Sequence, residues 1–119
     1  MDPLVKSWDD VAVDNPVPLL SRRKVTGDKM LLAMIRLEKG CHVPLHQHDS
    51  EQFGYVISGR VTFTLGAEGS PERRAVEVVG GQVIQLPSNF PHGVDVHEDS
   101  VILDILAPPG PMGVDAHTK

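Results

Sequence analysis

Short runs of Val, Ile, Leu, Thr and Phe alternate with clusters of Gly, Pro, Asp, Asn and Ser along most of the chain. No long window keeps apolar positions at the roughly 3.6-residue period of an amphipathic helix. The pattern predicts an all-β fold, because several short strands separated by turn residues are typical of a sandwich or a barrel. The predicted strands cover residues 17–25, 30–37, 52–57, 60–65, 74–79, 82–86, 93–96 and 101–106.

Glycine and proline positions refine this prediction. Ser58-Gly59 lies between two apolar runs and predicts a tight two-residue hairpin, since Gly supplies the positive φ that such a turn needs. Gly80-Gly81 predicts a sharp reversal. Residues 108–119 begin Pro-Pro-Gly-Pro-Met-Gly, which does not suit a sheet or a helix, so this tail is predicted to be extended or disordered.

Length and charge limit the possible functions. A chain of 119 residues without repeat or linker suits a single domain over 1–119, with a barrel core at about 17–107. The net charge of −5 argues against a nucleic-acid partner, and we interpret the basic run Arg22-Arg23-Lys24 as a solvated strand end.

The N-terminal region and the cysteine content bear on the compartment. Residues 1–11 lack a long apolar core, which argues against a signal peptide and a membrane anchor. Cys41 is the single cysteine, so an intramolecular disulfide and a Cys-pair metal motif are excluded. We therefore expect a cytoplasmic protein with no membrane partner.

The segment 40–52 carries the candidate chemistry. Alternate residues of a strand share a face, so His46 and His48 would lie about 7 Å apart and could converge on one ion. Gln52 could offer its amide oxygen to that ion or hydrogen-bond a ligating histidine, and His92 offers a third imidazole. These donors suit one divalent transition metal, namely Fe, Ni, Zn, Mn or Cu. The other histidines are interpreted as ordinary surface or core residues: His42, His97 and His117.

Two segments resemble the paired sequence motifs of the cupin superfamily. The first motif, a Gly, His-x-His, an acidic or amide ligand and a second Gly, corresponds to Gly40, His46, His48, Gln52 and Gly59. The second corresponds to Gly81, Pro87, Asn89 and His92, with Asn89 at a usual Gly and Val96 where an Asn often closes the motif. The resemblance implies a cupin, RmlC-like jelly-roll β-barrel with one metal ion held by His46, His48, Gln52 and His92.

Gln52 stands where most metal cupins have Glu. Three imidazoles and one amide are all neutral, so the protein ligands would leave the charge of a divalent ion uncompensated. Such a site should attract an anionic substrate and polarise its oxygen atoms. Because Gln cannot act as a general base, proton transfer would need another group.

Asp104 is our candidate for that group, although the sequence does not show whether it faces inward. The His-x-His-x-x-Glu-Gln pattern resembles the KdgF-type pectin-degradation cupins, which convert unsaturated uronates into linear ketonised sugars. Those proteins carry Asp-x-Phe-x-Pro-Pro-Arg in their last strand, with the Asp and the Arg implicated at the sugar. This chain has Asp104 and both prolines but Leu106 and Gly110 at the Phe and Arg positions. Phe90 could line the pocket mouth.

Three functional hypotheses remain open. The first is a metal-dependent enzyme that isomerises or opens a small anionic sugar or keto acid, with Asp104 moving a proton. The second is a cupin dioxygenase with a redox metal, and the third is a non-catalytic sugar- or metal-sensing module. In each case we expect a homodimer, with the apolar residues 17–20 contributing to the contact.

Overall fold

The computed structural model describes residues 2–117 and shows eight β-strands with two short 3₁₀ segments. The 3₁₀ segments are Trp8–Asp10 and Gly113–His117. The strands are β1 (Val13–Asp14), β2 (Leu20–Thr26), β3 (Leu31–Leu37), β4 (His42–His46), β5 (Glu51–Leu65), β6 (Arg74–Val79), β7 (Val83–Leu86) and β8 (His92–Ala107).

All strand pairings are antiparallel, in the order β1-β2-β3-β8-β5-β6, with β4 also on β8 and β7 also on β5. The two long strands, β5 and β8, pair with each other along most of their length and with a different neighbour in each half. This arrangement closes the sheet around one core and confirms the predicted all-β, RmlC-like jelly-roll barrel. No helix within residues 2–117 combines the length and apolar character needed to cross a membrane.

Alternation along the strands selects the residues that face the interior. In β3 the odd-numbered residues from Leu31 to Leu37 are buried, and in β8 the buried positions include Ile102, Asp104 and Leu106. Leu106 is completely inaccessible to solvent and is opposite Gln52 and Leu31 on the adjacent strands. The same alternation that builds the core therefore directs one carboxyl and one amide into it.

The predicted hairpin at Ser58-Gly59 is wrong, because β5 continues through this point. Its two halves pair with β7, β6 and β8 rather than with each other, and the register with β8 shifts between Val56 and Val61. Gly59 has a φ of 98°, and a Cβ there would overlap the side chain of Ser100. Gly59 is therefore part of a bulge in the pairing of β5 with β8. The reversal at Gly80-Gly81 is confirmed: Gly81 has a φ of 92°.

The predicted extended or disordered tail is also wrong for residues 112–117. Met112 and Val114 are buried in the core, and Asp115 pairs with Arg22. We call residues 110–115 the C-terminal strap. Burial of two apolar side chains and an ion pair with the buried Arg22 offset the poor propensity of its Pro and Gly residues for regular structure. Positions 118 and 119 of the predicted tail lie outside the described residues.

Arg22 itself corrects another interpretation, since it is not part of a solvated strand end. Only 2% of it is exposed. In β2 it lies on the inward face with Leu20, and its charge is compensated there by Asp14 and Asp115.

Candidate metal centre

Three histidines, from the end of β4, the segment after it and the start of β8, meet inside the barrel. His46 ends β4 and is opposite His92, the first residue of β8, while His48 follows β4 by two residues. The ring centroids are 4.3 Å apart for His46 and His92, 5.0 Å for His48 and His92, and 5.8 Å for His46 and His48. One ligand atom from each residue lies within 4.8 Å of the others, which is compatible with one shared metal ion.

Backbone carbonyls orient all three rings in the same way. Nδ1 of His46 lies 2.8 Å from the carbonyl oxygen of Pro44. Nδ1 of His48 lies 2.9 Å from that of Ser50, and Nδ1 of His92 lies 2.8 Å from that of Phe90. A carbonyl can only accept, so each Nδ1 carries the proton that it donates. Each Nε2 then keeps its lone pair for a metal.

His92 is the most buried of the three and fits a metal ligand closely. It is 2% exposed, and within the described chain its buried Nε2 has no hydrogen-bond partner. Burial lowers the pKa of His92 to about 4, assisted by the neighbouring His46 and His48 and opposed by the hydrogen bond to Phe90. The ring is therefore neutral at physiological pH, which is the form that binds metal.

Gln52 lies on the inward face of β5 and links the histidines to Asp104. Its Oε1 lies 3.0 Å from Nε2 of His48, where both atoms are acceptors and both can face a shared ion, and its side chain hydrogen-bonds Asp104. A carboxylate only accepts, so the amide nitrogen of Gln52 donates to Asp104 and the amide oxygen turns towards the histidines. The oxygen is thus available as a fourth neutral donor.

Asp104 faces inward, which the sequence left open. It is 7% exposed, and its Oδ1 has no hydrogen-bond partner among the described residues. Burial raises the pKa of Asp104 to about 7, although the hydrogen bond from Gln52 opposes this. Gly54 is opposite Asp104 on β5, and a Cβ there would come within 3.2 Å of Oδ1.

A cavity of about 50 Å³ joins these groups. His46, Gln52, His92 and Asp104 form its polar side, and Met112, Gly113 and Val114 of the C-terminal strap form part of its wall. The remaining lining residues are apolar: Leu20, Ile35, Leu37, Val43, Phe63, Val94 and Ile102.

Gly113 of the strap packs directly on the ring of His46, because a Cβ on Gly113 would overlap that ring. The strap and its partner Arg22 were missed in the sequence. The alternation of β2 could have placed Arg22 inward, and the spacing of Met112 and Val114 was a weak sign that the tail is buried.

The other predicted residues have different places. Phe90 does not line the cavity: it packs against the core, with the guanidinium of Arg74 5.9 Å from its ring centre. His42 is exposed and its Nδ1 is 2.7 Å from Asp95. His97 lies 2.6 Å from the hydroxyl of Thr62. Neither joins the cluster, as expected, and the side chain of His117 lies outside the described part of the chain.

An antiparallel jelly-roll barrel with converging histidines inside defines a class of proteins with a buried metal site. A family model described as "Cupin domain" matches residues 33–107, and the chain therefore belongs to the cupin family.

Solved structures share this fold at low identity. An RmlC-like cupin from Shewanella frigidimarina is 16% identical with a TM-score of 0.79, covering 91% of this chain and 93% of that one. KdgF from Halomonas sp. is 23% identical with a TM-score of 0.73, covering 86% and 92%. An oxalate decarboxylase from Bacillus subtilis is 21% identical with a TM-score of 0.80, covering 95% of this chain but 31% of that one. No curated protein matches the chain in sequence.

Proposed function

We propose that this cupin is a metal-dependent enzyme that isomerises or opens a small anionic substrate, either a sugar acid of the unsaturated uronate kind or a keto acid. The observation that carries the proposal is one buried carboxyl, Asp104, beside a cluster of otherwise neutral donors. The structural likeness to KdgF, together with the sequence resemblance to KdgF-type cupins, supports this direction, as does the oxalate decarboxylase neighbour, whose name states a small acid.

The neutral side chains that would hold the metal favour binding of an anionic substrate. His46, His48, His92 and Gln52 would hold the metal, and none of them carries a compensating negative charge. A divalent ion bound there supplies Lewis-acid polarisation of a carbonyl or hydroxyl oxygen.

Asp104 is the group best placed to move a proton. It is the only acidic residue among the described residues that line the cavity. Gln52 holds the carboxyl group by a hydrogen bond, whereas Oδ1 has no partner among the described residues and can exchange a proton with a substrate.

Turnover of 4,5-unsaturated galacturonate, followed at the absorbance of its double bond, tests the proposal. We expect activity to disappear after chelation and to return with one of Fe²⁺, Ni²⁺, Zn²⁺, Mn²⁺ or Cu²⁺. His46→Ala should remove it, and His42→Ala, which changes an exposed histidine, should not. Turnover that survives chelation would contradict the proposal.

A sensing module is the second candidate, because Gly110 stands where the KdgF-type cupins have the Arg implicated at the sugar. It predicts saturable binding of the sugar acid with no turnover under any metal. No observation favours the dioxygenase, which an oxygen electrode would detect through O₂ consumption.

We further propose a cytoplasmic homodimer that uses the outer face of the sheet. Phe53, Tyr55 and Ile57 of β5 and Val83 of β7 are exposed, and Tyr55 is opposite Val83. The predicted contact at residues 17–20 is less suitable, since Leu20 points into the core.

Tyr55→Lys should therefore convert a dimer into a monomer, because a desolvated charge is costly at an apolar interface. Sedimentation equilibrium would measure this, with Val13→Lys, another exposed apolar residue, as the control. A wild-type monomer at concentrations up to about 100 μM would exclude a dimer tighter than that range.

A further inference from the structure

Arg22 is held between two carboxylates of different origin. Its Nε and Nη2 donate to Asp14 at 3.1 and 2.7 Å, and its Nη1 and Nη2 donate to Asp115 at 3.1 and 2.9 Å. Both contacts are paired, parallel hydrogen bonds of the kind that Arg makes with any carboxylate. Asp115 also accepts from the backbone N–H of Met112 at 2.8 Å.

The two partners differ in how firmly the fold holds them. Asp14 lies in β1 directly opposite Arg22 and belongs to the sheet. Asp115 lies in the C-terminal strap, which pairs with no strand. If the strap left, Asp14 would still orient the guanidinium, and the donors that now bind Asp115 could bind another carboxylate.

The strap also connects Arg22 with the candidate metal centre. On the inward face of β2, Arg22 is two residues from Leu20 and opposite Ile35, and both of these line the cavity. Gly113 of the strap covers the ring of His46. Opening of the strap would therefore uncover the histidine cluster and the guanidinium together.

We propose that Arg22 is the carboxylate-binding group of this pocket, and that Asp115 occupies it as an internal stand-in until the carboxylate of a substrate displaces the strap. The inference rests on the proposed function in that it supplies the anchor for an anionic substrate. When a substrate carboxylate replaces that of Asp115, the positive charge of the buried Arg22 guanidinium remains compensated. A neutral sugar offers no such replacement, and the pocket would thereby select acids.

Hydrogen exchange on the full-length wild-type protein gives a direct test. D-galacturonate should speed amide exchange in residues 112–115, and D-galactose, which lacks the carboxylate, should not. The measurement is repeated after chelation, because a carboxylate bound through Arg22 acts with or without metal. Unchanged exchange of the strap at saturating galacturonate would overturn the proposal and needs no variant.

Substitutions distinguish a strap that a ligand can displace from a strap that always stays in place. Asp115→Asn should tighten galacturonate binding by about tenfold, since the internal competitor is weakened. Arg22→Gln, made in the otherwise wild-type protein, should weaken galacturonate binding by at least about tenfold. Glu77→Gln, which removes an exposed carboxylate paired with Arg60, is the matched control and should change neither.

Two outcomes would contradict the proposal here. One is a lower melting temperature in Asp115→Asn without tighter binding, and the other is galacturonate affinity that is indifferent to Arg22. Because binding is read in the chelated protein, failure of the Lewis-acid chemistry would appear in the turnover assay and leave this result unaffected.

Discussion

His92→Ala is expected to weaken divalent metal binding by at least about 100-fold. His92 is buried, its ring is neutral at physiological pH, and its Nε2 faces two other imidazoles without a protein partner of its own among the described residues. Removing it leaves only two imidazoles and an amide oxygen, which is a weaker donor for these metals than an imidazole.

Metal content by mass spectrometry on protein purified without a His-tag, followed by a Zn²⁺ titration, would measure the loss. His42→Ala removes an imidazole from the surface and should leave the stoichiometry at one. Equal metal content in His92→Ala and wild type would mean that the cluster is not the metal site.

Asp104→Asn is expected to have two effects of opposite sign. Turnover should fall by at least about 100-fold, because the amide cannot exchange a proton with the substrate. The metal-free variant should nevertheless be more stable than the wild type at pH 8, since it no longer buries a carboxylate.

The pH dependence of the second effect follows from the raised pKa of Asp104, about 7 in the folded chain against an ordinary value of 3.8. Between these values the folded state binds the proton more tightly than the unfolded state, so wild-type stability falls as pH rises through this window. Above about pH 7 the loss is complete, and the free energy of unfolding of the wild type is then lower by roughly a few kcal/mol.

Urea unfolding of both metal-free proteins at pH 4, 6 and 8 would show the difference growing with pH and then levelling off. A difference independent of pH would mean that Asp104 is not a buried titrating carboxyl. Full turnover in Asp104→Asn would remove it from the mechanism.

The fold class and the three histidines could be predicted from the sequence because both depend on local signals. Strand alternation and turn residues indicate an all-β chain, and His46, His48 and His92 occupy fixed places relative to Gly and Pro residues that shape their loops. The bounds of β6, Arg74–Val79, were predicted without error.

The errors concern contacts between distant parts of the chain. A glycine between two apolar runs has the same local signature in a hairpin and in a bulge, and only the pairing of β5 with β8 distinguishes them. The ion pair of Arg22 and Asp115 spans 93 residues, so neither residue alone indicates that the tail is folded. For Asp104, the neighbours on β8 are apolar on both faces, and the direction was settled only by the register with β3 and β5.

The bulge in β5 also makes the length of this strand matter more than its composition. Before the bulge the even-numbered residues Gln52, Gly54 and Val56 are buried, and after it the odd-numbered residues Val61, Phe63 and Leu65 are buried. A regular strand alternates strictly, so the odd step of five residues from Val56 to Val61 needs the bulge to keep both groups inward. Loss of one residue there would change the register of one half against β8, so Gln52 could no longer lie opposite Leu106 while Val61 lies opposite Val96. Homologous chains that keep this chemistry should therefore vary in sequence across the bulge and seldom in residue number.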